Sequence, residues 1–545
     1  MTPALSAVCD VAIVGAGPVG LTLACKLAQA GLSVTCLEEN AGLHAFPRAV
    51  GLDDEALRTF QGIGLHESDL APCLMNCAGI TYYGERGQFL ARIHPKETPY
   101  GHYKGASFYQ PHLENLLLER ARALGVSVRF GHKVVALEQD AGEVLIQAEH
   151  EGKRLSAIAR YAVGCDGSRS FVRKSLDIGL KGTTFEQKWL IVDTENDVRP
   201  ERYAEVWCCS RRPTVTIPRR QGYRRWEFML KPGETEADFD AFDKVRPLLE
   251  PHVRVEDIRI DRFNVYTFHS RVADSYRSGR VFLAGDACHL IPPFMAQGMA
   301  AGIRDADNLG WKLAGVLKGR LDPRVFASYE QERKPHLLAM GKLSEQAGAL
   351  MMPQTRWRSH AKDVLVSALC RIPGVMSAIE EARMRPGPAY AQGLFRLDGG
   401  KDAAGHMFPQ PRVRDEAGKE GLFDEFLGEG FSLVYMGSTE QALDAGLGRS
   451  LSQLGCRIVQ VVPQGLMVDA RFQRLAGATL VEDIHNAIPS WRRESHGQAY
   501  LLRPDRYVAC QFRLRAQAGV QAWLDRELMG AVARASAPAA VPVFS

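Results

Sequence analysis

The spacing of apolar residues changes twice within the first forty positions. Asp10 leads into Val11-Ala12-Ile13-Val14, an unbroken β-branched run of the kind a strand buried on both faces requires. It ends directly in Gly15-Ala16-Gly17-Pro18-Val19-Gly20, after which Leu21, Leu23, Ala24, Leu27 and Ala28 recur at helical spacing until Gly31. Residues 33–37 form a second apolar run that closes on Glu38. The pattern predicts strand, glycine turn, helix, strand, acid. Two later runs end in the same way. Residues 162–164 enter Cys165-Asp166-Gly167-Ser168-Arg169-Ser170, and residues 280–284 enter Gly285-Asp286-Ala287-Cys288-His289. Pro292-Pro293 and Gln297-Gly298-Met299 follow, then a helix with Ile303, Ala306, Leu309, Leu313 and Leu317 on one stripe. From Lys188 to Phe268 the period shortens to two, with strands expected at 205–210, 214–218 and 225–230, which is antiparallel patterning. Residues 341–400 read as helices and linker. A new α/β unit follows Pro409, with strands at 431–435 and 457–462, a hairpin at 499–503 and 507–511, and a helix from Val520.

Composition narrows the class. At about 150 residues per domain, 545 residues make three or four units. A net charge of +4, with no basic run interleaved by aromatics, argues against nucleic acid. The 12 cysteines include no CxxC, which reads as reduced thiols with no metal site. The N-terminus lacks a basic leader region, and no stretch reaches the ~18 apolar residues of a membrane helix. A cytoplasmic protein without membrane association is expected.

The glycine turn carries the first chemistry. Gly15 permits the tight turn, Gly17 lets backbone N–H groups approach a pyrophosphate, and Gly20 lets helix and strand pack closely. The helix N-terminus offers its positive dipole end to that anion. Glu38, 23 residues beyond Gly15, can take ribose hydroxyls. This turn alone does not separate NAD from FAD. Asp286, at a strand's carboxyl end, can accept a hydrogen bond from a ribityl hydroxyl, and backbone N–H groups at Gly298 and Met299 can face the polar edge of an isoalloxazine. Asp after a strand is often only a turn or cap residue. Asp166 and Asp286 in this order, behind the N-terminal turn, favour the flavin.

The trio GAGPVG, CDGSRS and AGDACH resembles the group A flavoprotein monooxygenases, the para-hydroxybenzoate hydroxylase and phenol hydroxylase superfamily. Pro47 to Arg58 (PRAVGLDDEALR), Tyr109-Gln110-Pro111, Arg225-Trp226-Glu227-Phe228-Met229 with Pro232-Gly233-Glu234, and Arg503 to Ala509 (RPDRYVA) are similar to the 3-(3-hydroxyphenyl)propionate hydroxylases. The implied fold is α/β: a Rossmann-type FAD-binding domain (1–187 and 270–345), an inserted antiparallel-sheet substrate domain (188–269), a helical segment and linker (346–408), and a C-terminal thioredoxin-like domain without CxxC (409–545). The resemblance implies tightly, non-covalently bound FAD. The expected contacts are Gly15, Gly17, Pro18, Gly20, Glu38, Glu39, Arg48, Gln110, Asp166, Gly285, Asp286, Pro293, Gly298 and Met299. NADH or NADPH would visit transiently, with O2 and a small aromatic molecule as cosubstrates. The implied reaction is hydroxylation of a phenol ortho to its hydroxyl through a flavin hydroperoxide. A 3-(3-hydroxyphenyl)propionate-like acid is the first substrate expectation. Other phenols, resorcinols or nitroaromatics, or a flavin dehydrogenase on the same fold, are the alternatives.

On the substrate side, six arginines crowd residues 211–225, and a guanidinium grips a carboxylate in two prongs. Arg212 is the one singled out, against the plainer reading of arginines on an exposed sheet face. Tyr223, Tyr266 and His269 are candidates to polarise a phenol, the backbone at Pro293 to border the reacting oxygen, and His289 to neighbour the flavin. Phenol hydroxylase carries an acid where Val50 stands, so its base does not transfer. A monomer or homodimer is expected.

Overall fold

Val11, Ala12 and Ile13 lie fully buried at the centre of a parallel sheet, as their uninterrupted apolar run requires. The computed structural model describes residues 4–530, apart from 95–97, 198, 200–201, 354, 373, 376–386, 398–402, 440, 468–472 and 489–496. The first sheet runs in the order Arg277–Ser278, Val281–Leu283, Lys153–Gly164, Ala4–Val14, Val34–Leu37, Ser127–Arg129. Its four central strands are parallel. Val14 pairs with both Leu37 and Gly164, and Gly164 with Leu283, so four carboxyl ends finish level on one edge. The helices Pro18–Gln29, Gln110–Ala123 and Gly298–Leu317 pack on one another beside this sheet.

A second sheet of eight strands has the order His289–Leu290, Arg259–Ala273, Leu180–Glu195, Arg224–Met229, Thr214–Pro218, Tyr203–Trp207, Gly79–Tyr83, Phe89–Ile93. All but one of its strand pairs are antiparallel; Tyr203–Trp207 runs parallel to Gly79–Tyr83. The sheet takes two strands from residues 79–93. The expected strand at 205–210 lies two residues earlier, because the chain leaves the ladder at Cys208. Alternation sorts the side chains. Leu190, Val192, Trp226 and Phe228 pack beneath Val245 and Leu249 of the helix Phe242–Leu249. Trp189, Ile191, Val206 and Val215 occupy the opposite face together with Met351. The helices expected after Gly341 are the later part of Ala327–Met351, which begins before it, and Arg356–Leu369.

The third sheet is the thioredoxin-like unit. Ser432–Met436, Arg457–Pro463 and Thr479–Asp483 are parallel, and Gln498–Leu502 with Val508–Arg513 completes the predicted hairpin. A fully buried ionic group holds it to the flavin-side helices. Glu332 accepts from both terminal nitrogens of Arg503 (2.7 and 2.9 Å), from Lys312 (2.9 Å) and from Asn308 (2.6 Å). Among the described residues no helix is long and apolar enough to cross a membrane.

Candidate flavin and aromatic-substrate site

The level strand ends assemble the first half of the site. Gly15 has φ +103°, and a methyl group there would come within 2.5 Å of the Cys165 carbonyl oxygen. Only glycine fits the turn where the end of Ala4–Val14 passes the end of Lys153–Gly164. Space is open beside Gly17 and again beside Gly298. The helix Pro18–Gln29 begins with Pro at its first turn, no side-chain cap and no acid, which leaves its first N–H groups for an anion. Glu38 takes the Ala16 N–H at 2.9 Å through one oxygen and the Asn40 N–H at 3.0 Å through the other, so its carboxylate is fixed beside the turn. Glu39, one residue on, is exposed.

Asp166 and Asp286 stand on neighbouring strand ends, and their electrostatic surroundings overlap through Cys165 and Cys288. They are used differently. The oxygens of Asp166 accept from Ser170 Oγ (2.6 Å) and the Val172 N–H (3.0 Å), which pins the turn before the helix Phe171–Ser175. Asp286 keeps an exposed side chain among buried neighbours, its carboxyl pushed up by the surrounding protein while His289 and Arg48 pull it down. Gly285, with φ +62°, is buried behind it and packs against Val19. His289 donates through Nε2 to Asp305 at 2.5 Å, and Asp305 also takes the Gly285 N–H (3.1 Å) and Arg333 (2.8 Å). Burial opposes its ionisation, yet His289 and Arg333 hold that carboxyl down to about 2. Cys288, His289 and Asp305 cluster within 4.8 Å, but both Asp305 oxygens are already committed to hydrogen bonds.

Gln110 joins the next segment to this edge. Its side-chain oxygen accepts the N–H groups of Arg48 and Ala49, each at 2.7 Å, and its amide donates to Glu114 at 2.6 Å. The same segment is gripped from the second sheet. Arg225 donates to the Arg48 and Pro47 carbonyls (2.9 and 2.7 Å), and Arg262 to Pro47 (2.5 Å). Both arginines, with Arg219, converge on Asp193. Burial opposes the Asp193 charge, but these three guanidiniums hold its carboxyl far below the usual range.

The second sheet therefore turns one face towards the flavin edge. At the other end of that face, the turn Pro293–Met295 inserts Phe294 against Trp189 and Phe268, with ring centroids 6.0 and 6.1 Å apart. Pro293 begins this turn, and Gly298 with Met299 opens the helix after it. Tyr266 lies beside Trp189 on this face. Tyr223 stacks on Tyr109 at 4.4 Å, next to Gln110. His269 follows Phe268, so alternation turns it away, and it bonds Thr184 at 3.0 Å. Arg212 is engaged by both oxygens of Glu234 (2.9 and 2.5 Å) and by the Met229 carbonyl (2.9 Å). Asp193, Trp189 and Phe294 escaped the sequence reading. The parity of Trp226 and Phe228, two large apolar residues that must share the covered face, was the available signal for the opposite one.

Level parallel strand ends, an open glycine turn at an uncapped helix and an aromatic-lined sheet laid over both define an FAD-binding oxidoreductase of the α/β class. Comparison with known proteins agrees. Residues 8–344 match the FAD binding domain family and residues 405–526 the HcaD C-terminal domain. A 3-(3-hydroxy-phenyl)propionate/3-hydroxycinnamic acid hydroxylase of Burkholderia vietnamiensis is 38% identical over 522 residues, covering 94% of this chain and 95% of the relative. A hydroxylase of the same description from Klebsiella pneumoniae is 36% identical over 93% and 92% of the two chains. In fold, the chain is similar to the flavin-dependent monooxygenase PieE, solved with FAD and substrate, at a TM-score of 0.80 and 20% identity over 96% and 99% of the chains. The chain belongs to the family of FAD-dependent aromatic hydroxylases. It is a flavoprotein monooxygenase, and its cofactor is FAD.

Proposed function

We propose that this enzyme hydroxylates a phenolic acid of the 3-(3-hydroxyphenyl)propionate type, ortho to the existing hydroxyl, in the catabolism of aromatic compounds. It would act in the cytoplasm, as a monomer or homodimer, with NADH or NADPH as reductant. The observation that carries the substrate is the 38% identity to hydroxylases of that description across 94% of the chain. An aromatic cluster of Trp189, Tyr266, Phe268 and Phe294 on this sheet face supports a planar ring as substrate, since such side chains hold one by edge and face contacts.

FAD, reduced by the nicotinamide and met by O2, supplies an electrophilic oxygen to the ring. The protein's residues do the rest. The turn Gly15 to Gly20 and the helix start at Pro18 take the pyrophosphate, and Glu38 a ribose. The open carboxylate of Asp286 takes the ribityl chain, and Arg48, held by Gln110, lies alongside. The aromatic face keeps water from the reacting atoms.

The test is a panel of phenolic acids, simple phenols, resorcinols and nitrophenols, scored for NAD(P)H consumed against product formed. One hydroxylated product per nicotinamide, highest for the hydroxyphenylpropionate, is expected. Product formed without oxygen consumption points instead to a dehydrogenase.

A further inference from the structure

The crevice face of the second sheet is three rows deep. The row Trp189, Met229 and Tyr266 packs towards Phe294. The row Asp193, Arg225 and Arg262 clamps the Pro47 and Arg48 carbonyls. Between them runs Val206, Val215, Glu227, Ile191 and Asn264, in register across five strands. This middle row lies between the two rows that contact the flavin side, so a ring laid on the sheet between them would cover it. Its central residue is a carboxylate flanked by Val215 and Ile191. Glu227 is half-buried and has no hydrogen-bond partner among the described residues. Its nearest cation, Arg225, is committed to both oxygens of Asp193 and to two carbonyls. An acid left unpaired against valine and isoleucine costs stability unless a ligand uses it.

We propose that Glu227 is a catalytic residue of this hydroxylase, the base that accepts the proton of the substrate's phenolic hydroxyl. The reading rests on a phenol being the substrate. The O–H bond breaks, its electron pair stays on the ring oxygen and enriches the ring for electrophilic attack, and the proton passes to a Glu227 oxygen. The proton returns to solvent through the crevice after oxygen transfer, so the step is neutral in electrons. Burial pushes the Glu227 carboxyl up from its usual range against the pull of Arg225 and Arg219, which brings its basicity closer to a phenol's.

The experiment compares wild type, Glu227→Gln and Glu227→Asp as FAD-loaded enzymes. The substrates are the best phenol of the panel and its ring-fluorinated analogue, whose hydroxyl is more acidic. Glu227→Gln should keep its bound flavin and lower kcat by roughly 10²- to 10³-fold with a much smaller change in KM. Glu227→Asp should recover part of the rate, and the deficit should shrink on the fluorinated phenol. Loss of less than threefold in Glu227→Gln, or a loss confined to KM and equal for both substrates, overturns the assignment. A wild-type enzyme that ignores the hydroxyphenylpropionate but hydroxylates another phenol overturns only the substrate reading, since the comparison then runs on that phenol. A wild type that hydroxylates no phenol overturns both.

Discussion

At Gly15 the backbone leaves no room for any side chain. The φ of +103° and the carbonyl of Cys165 2.5 Å from a would-be methyl group act together. Gly15→Ala should therefore be purified largely without flavin. The ratio of visible to ultraviolet absorbance should fall several-fold, and added FAD should bind at least ten times more weakly than to wild type. Gly17 differs, since a methyl group placed there would meet nothing within 4 Å beyond its chain neighbours. Residue chemistry of this kind was legible in the sequence because a strand, a turn and a helix start are local. The partners of single side chains were not. Arg212 was chosen from its neighbours in the chain, but its guanidinium faces Glu234, 22 residues away. Asp193 gathers arginines 26, 32 and 69 residues distant. No periodicity announces such pairings, because they depend on which strands become neighbours.

Among elements, the first sheet and the C-terminal hairpin could be read from continuous apolar runs, and their observed bounds lie within one or two residues of the pattern. Ala4–Val14 and Lys153–Gly164 are the exceptions, extending six and nine residues earlier than the runs at 10–14 and 162–164. The second sheet was harder. Its longest strand, Leu180–Glu195, begins Leu-Lys-Gly-Thr-Thr and is exposed over that stretch, so hydropathy conceals it. Gly79–Tyr83 reaches the sheet across more than a hundred residues. Arg225 and Arg262 bind this sheet to the flavin-side loop, and one carboxylate, Asp193, holds both of them in place. Replacing it by Asp193→Asn leaves three buried guanidiniums without their counter-charge, an effect of about 3–5 kcal/mol. Chemical denaturation should show that loss, and flavin should be released more readily, because the arginines that grip Pro47 and Arg48 lose the carboxylate that positions them.

Across the whole molecule, the C-terminal unit is joined by charge buried completely. Burial disfavours the ionised Glu332, but Arg503 and Lys312 overcome it and hold its carboxyl down to about 2. Its contribution to stability is thus complete above the ordinary value near 4.5 and fades as the pH drops towards about 2. Glu332→Gln should lower stability by about 3–5 kcal/mol at neutral pH. Melting temperatures of the two proteins should converge as the pH is lowered through that window. Cys456 just precedes the strand Arg457–Pro463 and Cys510 lies on Val508–Arg513, so the two form no CxxC.

The grip of Arg225 and Arg262 on the Pro47 carbonyl has a consequence for engineering. The sheet proposed to select the ring and the loop proposed to border the cofactor are fastened by the same bolt. A graft of residues 180–273 from a relative with different tastes would carry its arginines to a foreign loop and seat them badly. A graft that brings residues 44–50 along keeps bolt and socket matched, and is the cut by which this scaffold can be retargeted.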